Sequence, residues 1–537
     1  MQGLMMDYPL IINNILEYGN LLYPDKKIIT KLPNGLIHEY QYRDFYKRVK
    51  KLANVLKNLG IESGDRVGTL SWNNYQHLEC YYAIPCMGAV IHTINIRLSV
   101  EQLTYIINHA EDKIIIVDAT LIPLLEKIYD QIKTVKHFIV FNTDKIETKI
   151  PNILYYEDLL SKEVDDYTWD LQDEKQAMGL CYTSGTTGEP KGVLYSHRSM
   201  YLHTVAQSQT NSLGLNTRDI VMPVVPMFHA MCWGLPYSCI MSGTNIVMPG
   251  PHLKPESLAQ LIEEQKITIS AGVPTIWHGL YHELKNNPRD TSSMRYSLVG
   301  GSAMPRGLIE SYENDLKIKV LHAWGMTETS PLGTVSILNE NHEDMSQEEQ
   351  FNYKSKQGYP ICGIEIRIVD DHGKKLVWDG ETMGELQVRG SWVAKSYYKV
   401  SPNSESFTDD GWFRTGDVAT ITSDGYMNIT DRTKDLIKSG GEWISSVALE
   451  NELMSYSGVL EAAVIAIPDS EWFERPLALV VAKEDHNLTE EQLKAHLAKS
   501  FIKFWLPDKI IFTTEIPKTT VGKFDKKEIR KKYWLKE

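Results

Sequence analysis

The stretch from Cys181 to Val193 reads Cys-Tyr-Thr-Ser-Gly-Thr-Thr-Gly-Glu-Pro-Lys-Gly-Val between apolar flanks. Its glycines let backbone N–H groups turn toward an anion, its hydroxyls add donors, and Lys191 supplies a mobile positive charge. That combination is a cradle for nucleotide phosphates. A Walker loop would need Gly-x-x-x-x-Gly-Lys followed by Ser or Thr, with a helix starting at the lysine. Counted from Gly185, the sixth residue is Pro190, and Gly192 follows Lys191, so the Walker reading fails. On composition alone the alternative is a plain Gly/Ser/Thr surface turn.

The decamer Thr183-Ser184-Gly185-Thr186-Thr187-Gly188-Glu189-Pro190-Lys191-Gly192 resembles the phosphate loop of the adenylate-forming superfamily, which holds acyl-CoA synthetases, luciferases and peptide-synthetase adenylation domains. The resemblance implies a reaction of ATP with a carboxylate, giving an acyl-adenylate and pyrophosphate. It also implies nucleotide contacts from Thr183, Ser184, Gly185, Thr186, Thr187, Gly188 and Lys191, with Thr187 at the metal.

Further motifs follow in order. Val225-Pro226-Met227-Phe228-His229 leads into Ala230-Met231-Cys232-Trp233. A lone histidine among apolar residues is usually a core histidine. By the resemblance, however, His229 closes over the carboxylate and Trp233 is an aromatic gate on an acyl tunnel. An apolar slot with such a door buries methylenes at roughly 0.8 kcal/mol each. Val299-Gly300-Gly301-Ser302-Ala303 reads as a strand-to-helix turn, and its glycines would equally let backbone approach a flat ring. His322-Ala323-Trp324-Gly325-Met326-Thr327-Glu328 places a hydroxyl beside a carboxylate, and Mg²⁺ takes oxygen ligands, often one or two carboxylates plus phosphates. The superfamily match assigns Glu328 to Mg²⁺, Thr327 to the α-phosphate and Trp324 to the adenine side. It also assigns Asp417, in Gly411-Trp412-Phe413-Arg414-Thr415-Gly416-Asp417, to the ribose, and counts Ile429 among the nucleotide contacts. Val273 and Pro274 are acyl-side candidates beside Gly300 and Trp233.

Residues 431 to 441, Asp-Arg-Thr-Lys-Asp-Leu-Ile-Lys-Ser-Gly-Gly, are polar, charged and glycine-ended, as a linker would be. They match the family's domain hinge, with Lys434 at the pivot and Arg432 at a ribose contact. Lys438, Gly440, Gly441, Glu442 and Trp443 belong to the surface presented to CoA after the small domain turns. Pro517-Lys518-Thr519-Thr520-Val521-Gly522-Lys523 carries the family's closing motif, which makes Lys523 the cation of adenylation.

Several elements must position these groups. Helical spacing over Tyr42–Leu59 stops at Gly60, and Arg66–Ser71 and Ala89–Asn95 read as strands around a helix at Asn74–Met87. Ser99 with Gln102 forms a capping box, and Lys113–Asp118 is a strand. Alternating units recur at Ser257–Gln265, Thr268–Ala271, Met304–Leu316 and Lys319–Leu321, implying parallel sheet covered on both faces. The expected architecture is α/β: a large N-terminal domain of parallel α/β sheets with a small β-rich subdomain (1–431), a hinge (432–436), and a mobile small α+β domain (437–537). Within the last, a strand is expected at Ala462–Ile467, a helix at Thr489–Phe501 and a strand at Lys509–Thr513. The Lys/Arg-rich tail beyond Phe524 suits an anionic membrane surface or, better, a solvated helix.

At 537 residues the chain exceeds a single core, and a formal charge of −13 argues against a general nucleic-acid binder. Six cysteines without Cys-x-x-Cys spacing read as reduced thiols of a cytoplasmic protein, and no secretory signal stands at the N-terminus. Ile220 to Met241 lacks Asp, Glu, Lys and Arg, yet Pro223, Pro226 and Pro236 break it as a membrane span. It reads as buried strand and loop lining a pocket. The resemblance is nearest to the medium- and long-chain fatty acyl-CoA synthetase branch, whose substrates are a carboxylic acid, ATP with Mg²⁺, and CoA, and whose members often form homodimers. Peripheral membrane contact stays open. Short-chain, hydroxy or aryl acids and a luciferase-type activity stay open as well. An amino-acid adenylation module would carry an Asp near 231–233, where this chain has Met-Cys-Trp. A non-catalytic binding protein would have lost Lys523 or Glu328.

Overall fold

The computed structural model describes residues 1–141, 146–170, 172–183, 189–400, 405–440, 442–483, 486–518 and 524–533. Two large sheets carry the N-terminal part. The first has seven strands in the order Leu154–Tyr155, His137–Phe141, Asp112–Asp118, Arg66–Leu70, Val90–Thr93, Ala177–Tyr182 and Gly192–Ser196. Every pair is parallel except the last, which runs antiparallel from Ala177↔Ser196 to Tyr182↔Gly192. The second has nine strands and is parallel from Lys319–Trp324 through Tyr296–Val299, Ile269–Gly272, Ile220–Pro223 and Asn245–Met248 to Lys27–Lys31. Its edges, Thr334–Val335 with Tyr359–Pro360 and Ile37–Gln41, pair antiparallel. These central strands bury almost every side chain, as strands covered on both faces must.

The helix Tyr42–Asn58 turns Phe45, Val49, Leu52, Val55 and Leu56 inward at three- and four-residue spacing, and Gly60 follows it with φ +82°. Ser99 and Gln102 cap the helix Val100–Ala110 reciprocally, as their spacing predicts. One apolar core joins both large sheets to a third, antiparallel sheet of Ile364–Val369, Gly384–Gly390, Phe413–Ile421 and Met427–Arg432.

One element departs from expectation. The stretch after Ile220–Pro223 was expected as strand and loop, but Leu235–Ser242 is a helix. Pro236 occupies its first turn, where a missing N–H breaks no internal bond, so the proline that argued against a helix starts one. No described helix is long and apolar enough to cross a membrane.

Beyond Arg432 the chain forms a hairpin, Ile437–Ser439 with Glu442–Ile444, and a three-stranded sheet of Val459–Asp469, Phe473–Ala482 and Lys509–Phe512. This part has its own two apolar clusters, around Leu449 and Val464 on one side of the sheet and Ile465 and Ile529 on the other. The closing helix Lys526–Tyr533 is not simply solvated, as the tail was expected to be. Its Ile529 is buried, and Lys526 Nζ lies 2.7 Å from Glu450 Oε1 and 2.6 Å from Ser446 Oγ. Glu450 also accepts from Val464 N at 2.7 Å. Burial pushes the Glu450 carboxyl up to about 7 against the pull of Lys526. A carboxyl held above its unfolded value of 4.5 gains a proton on folding. Its contribution is therefore fully present below 4.5 and is lost as pH rises through about 7. The fall in urea-unfolding midpoint between pH 5 and pH 8 (about the window set by these values) is expected to be smaller in Glu450→Gln than in the parent chain.

Candidate functional site

The antiparallel strands Ala177–Tyr182 and Gly192–Ser196 present the glycine-rich stretch at one end of the first sheet. Its neck is closed twice: Thr183 N donates to Lys191 O at 2.9 Å, and Lys191 N donates to Thr183 Oγ1 at 3.1 Å. Ser184, Gly185, Thr186, Thr187 and Gly188 lie outside the described residues, as do Gly441 and Lys523.

Two tyrosines tie this neck to the Thr327–Glu328 turn that follows strand Lys319–Trp324. Tyr195, on the outgoing strand, donates its hydroxyl to Thr327 O at 2.8 Å. Tyr397 donates to Glu328 Oε1 at 2.6 Å, and Lys191 Nζ sits 4.8 Å from the centroid of the same ring. Glu328 is only 5% exposed. Burial raises its carboxyl above the usual range, and the Tyr397 hydroxyl pulls the other way. Neither tyrosine is signalled by the sequence, because a residue that reaches the site across the fold has no fixed spacing from the motif it serves.

Glu328 is a single buried carboxylate, and no group of three His, Cys, Asp or Glu residues able to hold a metal exists among the described residues. That donor set fits Mg²⁺ shared between one protein carboxylate and phosphate oxygens, not a metal caged by protein alone. Tyr397→Phe removes the one side-chain donor seen on Glu328 Oε1. The Mg²⁺ concentration giving half-maximal pyrophosphate release is expected to rise roughly three- to tenfold, in line with a hydrogen bond to a charged group. An unchanged Mg²⁺ dependence would show that Tyr397 does not position this carboxylate.

Trp324 ends the same strand. Its Nε1 donates to Asp417 Oδ2 at 3.1 Å, while Asp417 Oδ1 pairs with Arg432 Nε at 2.9 Å. Asp417 is 3% exposed and follows Gly416, whose φ is +71°. Strand Phe413–Ile421 carries Asp417 and strand Met427–Arg432 carries Arg432, in register opposite each other. Ile429, on the latter strand and partly exposed, donates its N–H to Gln357 Oε1 at 2.6 Å. Gly325 passes so close to Pro331 O that no side chain would fit. Met326 and Ala323 are partly exposed beside it. His322 is buried, with Nδ1 3.1 Å from Ser355 O, and burial lowers its pKa to about 4.

On the acyl side, the indole of Trp233 lies against a pair of glycines. A Cβ on Gly300 would come within 3.3 Å of Trp233 Cη2 and 3.4 Å of Ala323 O, and one on Gly301 within 3.2 Å of Val273 Cγ1. Pro274 opens the helix Pro274–Asn286 next to Val273; Ser302 is exposed and Ala303 partly so. Trp233 arrives there through an uncommon turn. Ala230, Met231, Cys232, Trp233 and Gly234 all have positive φ, from +42° to +74°. Left-handed backbone costs L-residues roughly 1–2 kcal/mol each, so its neighbours must hold it. Asn73 does so from below, taking Met227 N on Oδ1 at 2.8 Å and donating to Pro223 O and Val225 O at 2.8 Å each. Gln207 Nε2 donates to Trp233 O at 2.7 Å. His229, at the head of this turn, is partly exposed instead of fully buried in the core.

The hinge candidates lie at the edge of this arrangement. Lys434 is exposed, and its carbonyl accepts from Arg530 at 3.2 Å; Arg530 also pairs with Asp435. Asp431 Oδ2 accepts from Ser446 N at 2.6 Å and Ser446 Oγ at 2.5 Å. Lys438, Gly440, Glu442 and Trp443 form a separate group on the small hairpin, with Lys438 Nζ 5.6 Å over the Trp443 ring, Ser439 opposite Glu442, and Gly440 N donating to Trp472 O at 2.9 Å.

A family model described as AMP-binding enzyme matches residues 21–398, and the AMP-binding enzyme C-terminal domain matches residues 448–523. The chain is 42% identical to the 3-methylmercaptopropionyl-CoA ligase of Ruegeria lacuscaerulensis over 99% of both chains. It is 44% identical to the long-chain-fatty-acid–CoA ligase of Thermus thermophilus, over 98% of this chain and 96% of the relative. Among solved structures, the anthranilate CoA ligase AuaEII in complex with anthranoyl-AMP superposes with a TM-score of 0.87 at 26% identity, covering 98% of each chain.

Proposed function

Since the chain belongs to the AMP-binding enzyme family, and is an acid–thiol ligase that uses ATP, Mg²⁺ and CoA, we propose that its acid is a medium- to long-chain fatty acid. The observation that carries this reading is the Trp233 indole laid over Gly300 and Gly301 in apolar surroundings, next to the strand that delivers Thr327 and Glu328. Such a surface favours hydrocarbon, because each methylene taken from water contributes roughly 0.8 kcal/mol. Identity to the long-chain ligase supports the same reading. A short acid bearing a functional group is the second reading, favoured by the similarity to the 3-methylmercaptopropionyl-CoA ligase.

In this proposal the carboxylate oxygen attacks the α-phosphorus of ATP and pyrophosphate leaves. Thr327 contacts the α-phosphate, Lys523 balances charge on the attacking and bridging oxygens, and Asp417 with Arg432 orients the ribose. Bound at Glu328 and Thr187, Mg²⁺ would neutralise phosphate charge. The small domain then turns about Lys434, bringing Lys438, Gly440, Gly441, Glu442 and Trp443 toward the site, and the CoA thiol displaces AMP from the acyl group. His229 and Trp233 close over the acid. Catalysis of this kind is mostly positioning and electrostatics. The domain limits 1–431, 432–436 and 437–537 belong to this proposal, as do a homodimer and a cytoplasmic location. The free cysteines, of which Cys80, Cys86, Cys181, Cys232 and Cys239 are buried, support the last.

CoA-dependent AMP release across straight-chain acids of increasing length tests the reading. An optimum among medium or long acids supports it. Turnover confined to short or aromatic acids retains the ligase and refutes the fatty-acid assignment.

A further inference from the structure

His203 sits on helix His197–Ser208, one turn before Gln207, and its side chain is fully buried. Gln207 is fully employed: besides its bond to Trp233 O, its Oε1 accepts from Ser238 Oγ at 2.8 Å. His203 is not. Of the described histidines it alone has both ring nitrogens buried without a hydrogen-bond partner in the protein. His92, His197 and His322 also leave Nε2 unpaired, but each engages Nδ1, with Asp112, Ile12 N and Ser355 O respectively. A buried N–H left unpaired costs on the order of 1–3 kcal/mol, and such groups in native proteins call for an explanation.

Its neighbours locate the ring. A Cβ on Gly234 would lie 2.7 Å from His203 Nδ1, so the imidazole rests on the end of the left-handed turn that carries Trp233. On its other side the ring is edge-on to Trp392, centroids 6.1 Å apart at 86°. The Trp392 polar atoms are already taken: Nε1 donates to Leu332 O at 2.7 Å, and its carbonyl accepts from Ser330 Oγ at 2.7 Å. The imidazole therefore stands between the Trp233 turn and the segment just past Thr327–Glu328, the two stretches between which the acid is placed above. Burial lowers its pKa to about 3, so at neutral pH it offers one donor and one acceptor.

We propose that His203 is a specificity-determining residue of the acyl slot, pairing with an oxygen or sulfur atom carried in the tail of an aliphatic acid. The inference rests on the ligase reading and narrows it. The favoured acids are those with an ether, thioether or hydroxyl at the depth of this ring, over plain hydrocarbons of equal length. At every other depth the slot is apolar, and a heteroatom there loses its hydration without compensation.

The test compares each straight-chain acid with analogues in which one methylene at a time is replaced by ether oxygen, scored as the ratio of kcat/KM in CoA-dependent AMP release. One position is expected to be favoured over its neighbours by about three- to tenfold. His203→Leu is expected to flatten that profile, while His203→Asn, which retains a donor and an acceptor, keeps part of it. A flat profile in the parent enzyme overturns the inference with no variant needed, and so does a favoured position that survives in His203→Leu. Absence of AMP release from every acid is a different failure, because it removes the ligase reading itself.

Discussion

Lys523→Ala is expected to lower the rate of acyl-adenylate formation by about 10²–10³, the usual effect of removing one preorganised charge from a transition state, while thioester formation from supplied acyl-adenylate and CoA continues. The asymmetry follows from domain rotation. A side chain on the small domain serves the half-reaction for which that domain is turned one way and is withdrawn for the other. The described residues on either side of Lys523 show how its segment is anchored. Lys518 bridges to Phe524, Asp525 N donates to Pro517 O at 2.8 Å, and the helix that follows is pinned by Lys526 to Glu450 and by Arg530 to Asp435. A cation held on so fixed a base keeps its orientation when the domain turns as a body. Single-turnover pyrophosphate release and acyl-CoA formation, measured separately on the same preparation, decide the matter. Equal losses in both half-reactions would show that Lys523 is not specific to adenylation.

The parts of the fold that were legible in the sequence are those where local chemistry and tertiary need agree. The spacing of Phe45, Val49, Leu52 and Leu56 and the Ser99–Gln102 cap are decided within one or two turns of chain, and the structure places those elements within a residue or two of expectation. Leu235–Ser242 was missed because an all-apolar run has no period to distinguish strand from helix, and its proline was weighed as a breaker before its position in the first turn was known. The site divides in the same way. Thr327, Glu328, Trp324 and Asp417 stand in compact motifs. Tyr397, Tyr195, Asn73 and His203 act on them from as far as 69, 132 and 154 residues away in sequence for the first three, distances at which spacing carries no signal. What the sequence could not convey is therefore mainly the supporting shell: which hydroxyl steadies Glu328, and which amide holds the left-handed turn beneath Trp233.

Asp417→Ala should weaken nucleotide binding by about 10² and leave the acid's own affinity nearly unchanged. Asp417 already holds two partners, Trp324 Nε1 on Oδ2 and Arg432 Nε on Oδ1. An ionised carboxylate has about four lone-pair sites, so both ribose hydroxyls can still be accepted without displacing either partner. Hydrogen bonds to a charged acceptor contribute about 1.5–3 kcal/mol each, and two of them exceed the factor proposed, leaving room for partial replacement by water. The substitution also leaves the Trp324 N–H without its acceptor and Arg432, 42% exposed, free to turn to solvent. Loss of binding could thus come from the ribose contact or from a displaced indole, and Asp417→Asn separates the two. Its amide oxygen can still accept from Trp324 but is a poorer ribose acceptor and no ion-pair partner for Arg432. If ribose binding dominates, Asn behaves nearly as badly as Ala in a calorimetric titration with ATP; if the indole dominates, Asn restores most of the affinity. Unaltered ATP affinity in Asp417→Ala would remove Asp417 from the nucleotide site altogether. The cycle with Arg432→Ala then measures their coupling, which should be largest where both face the same ribose.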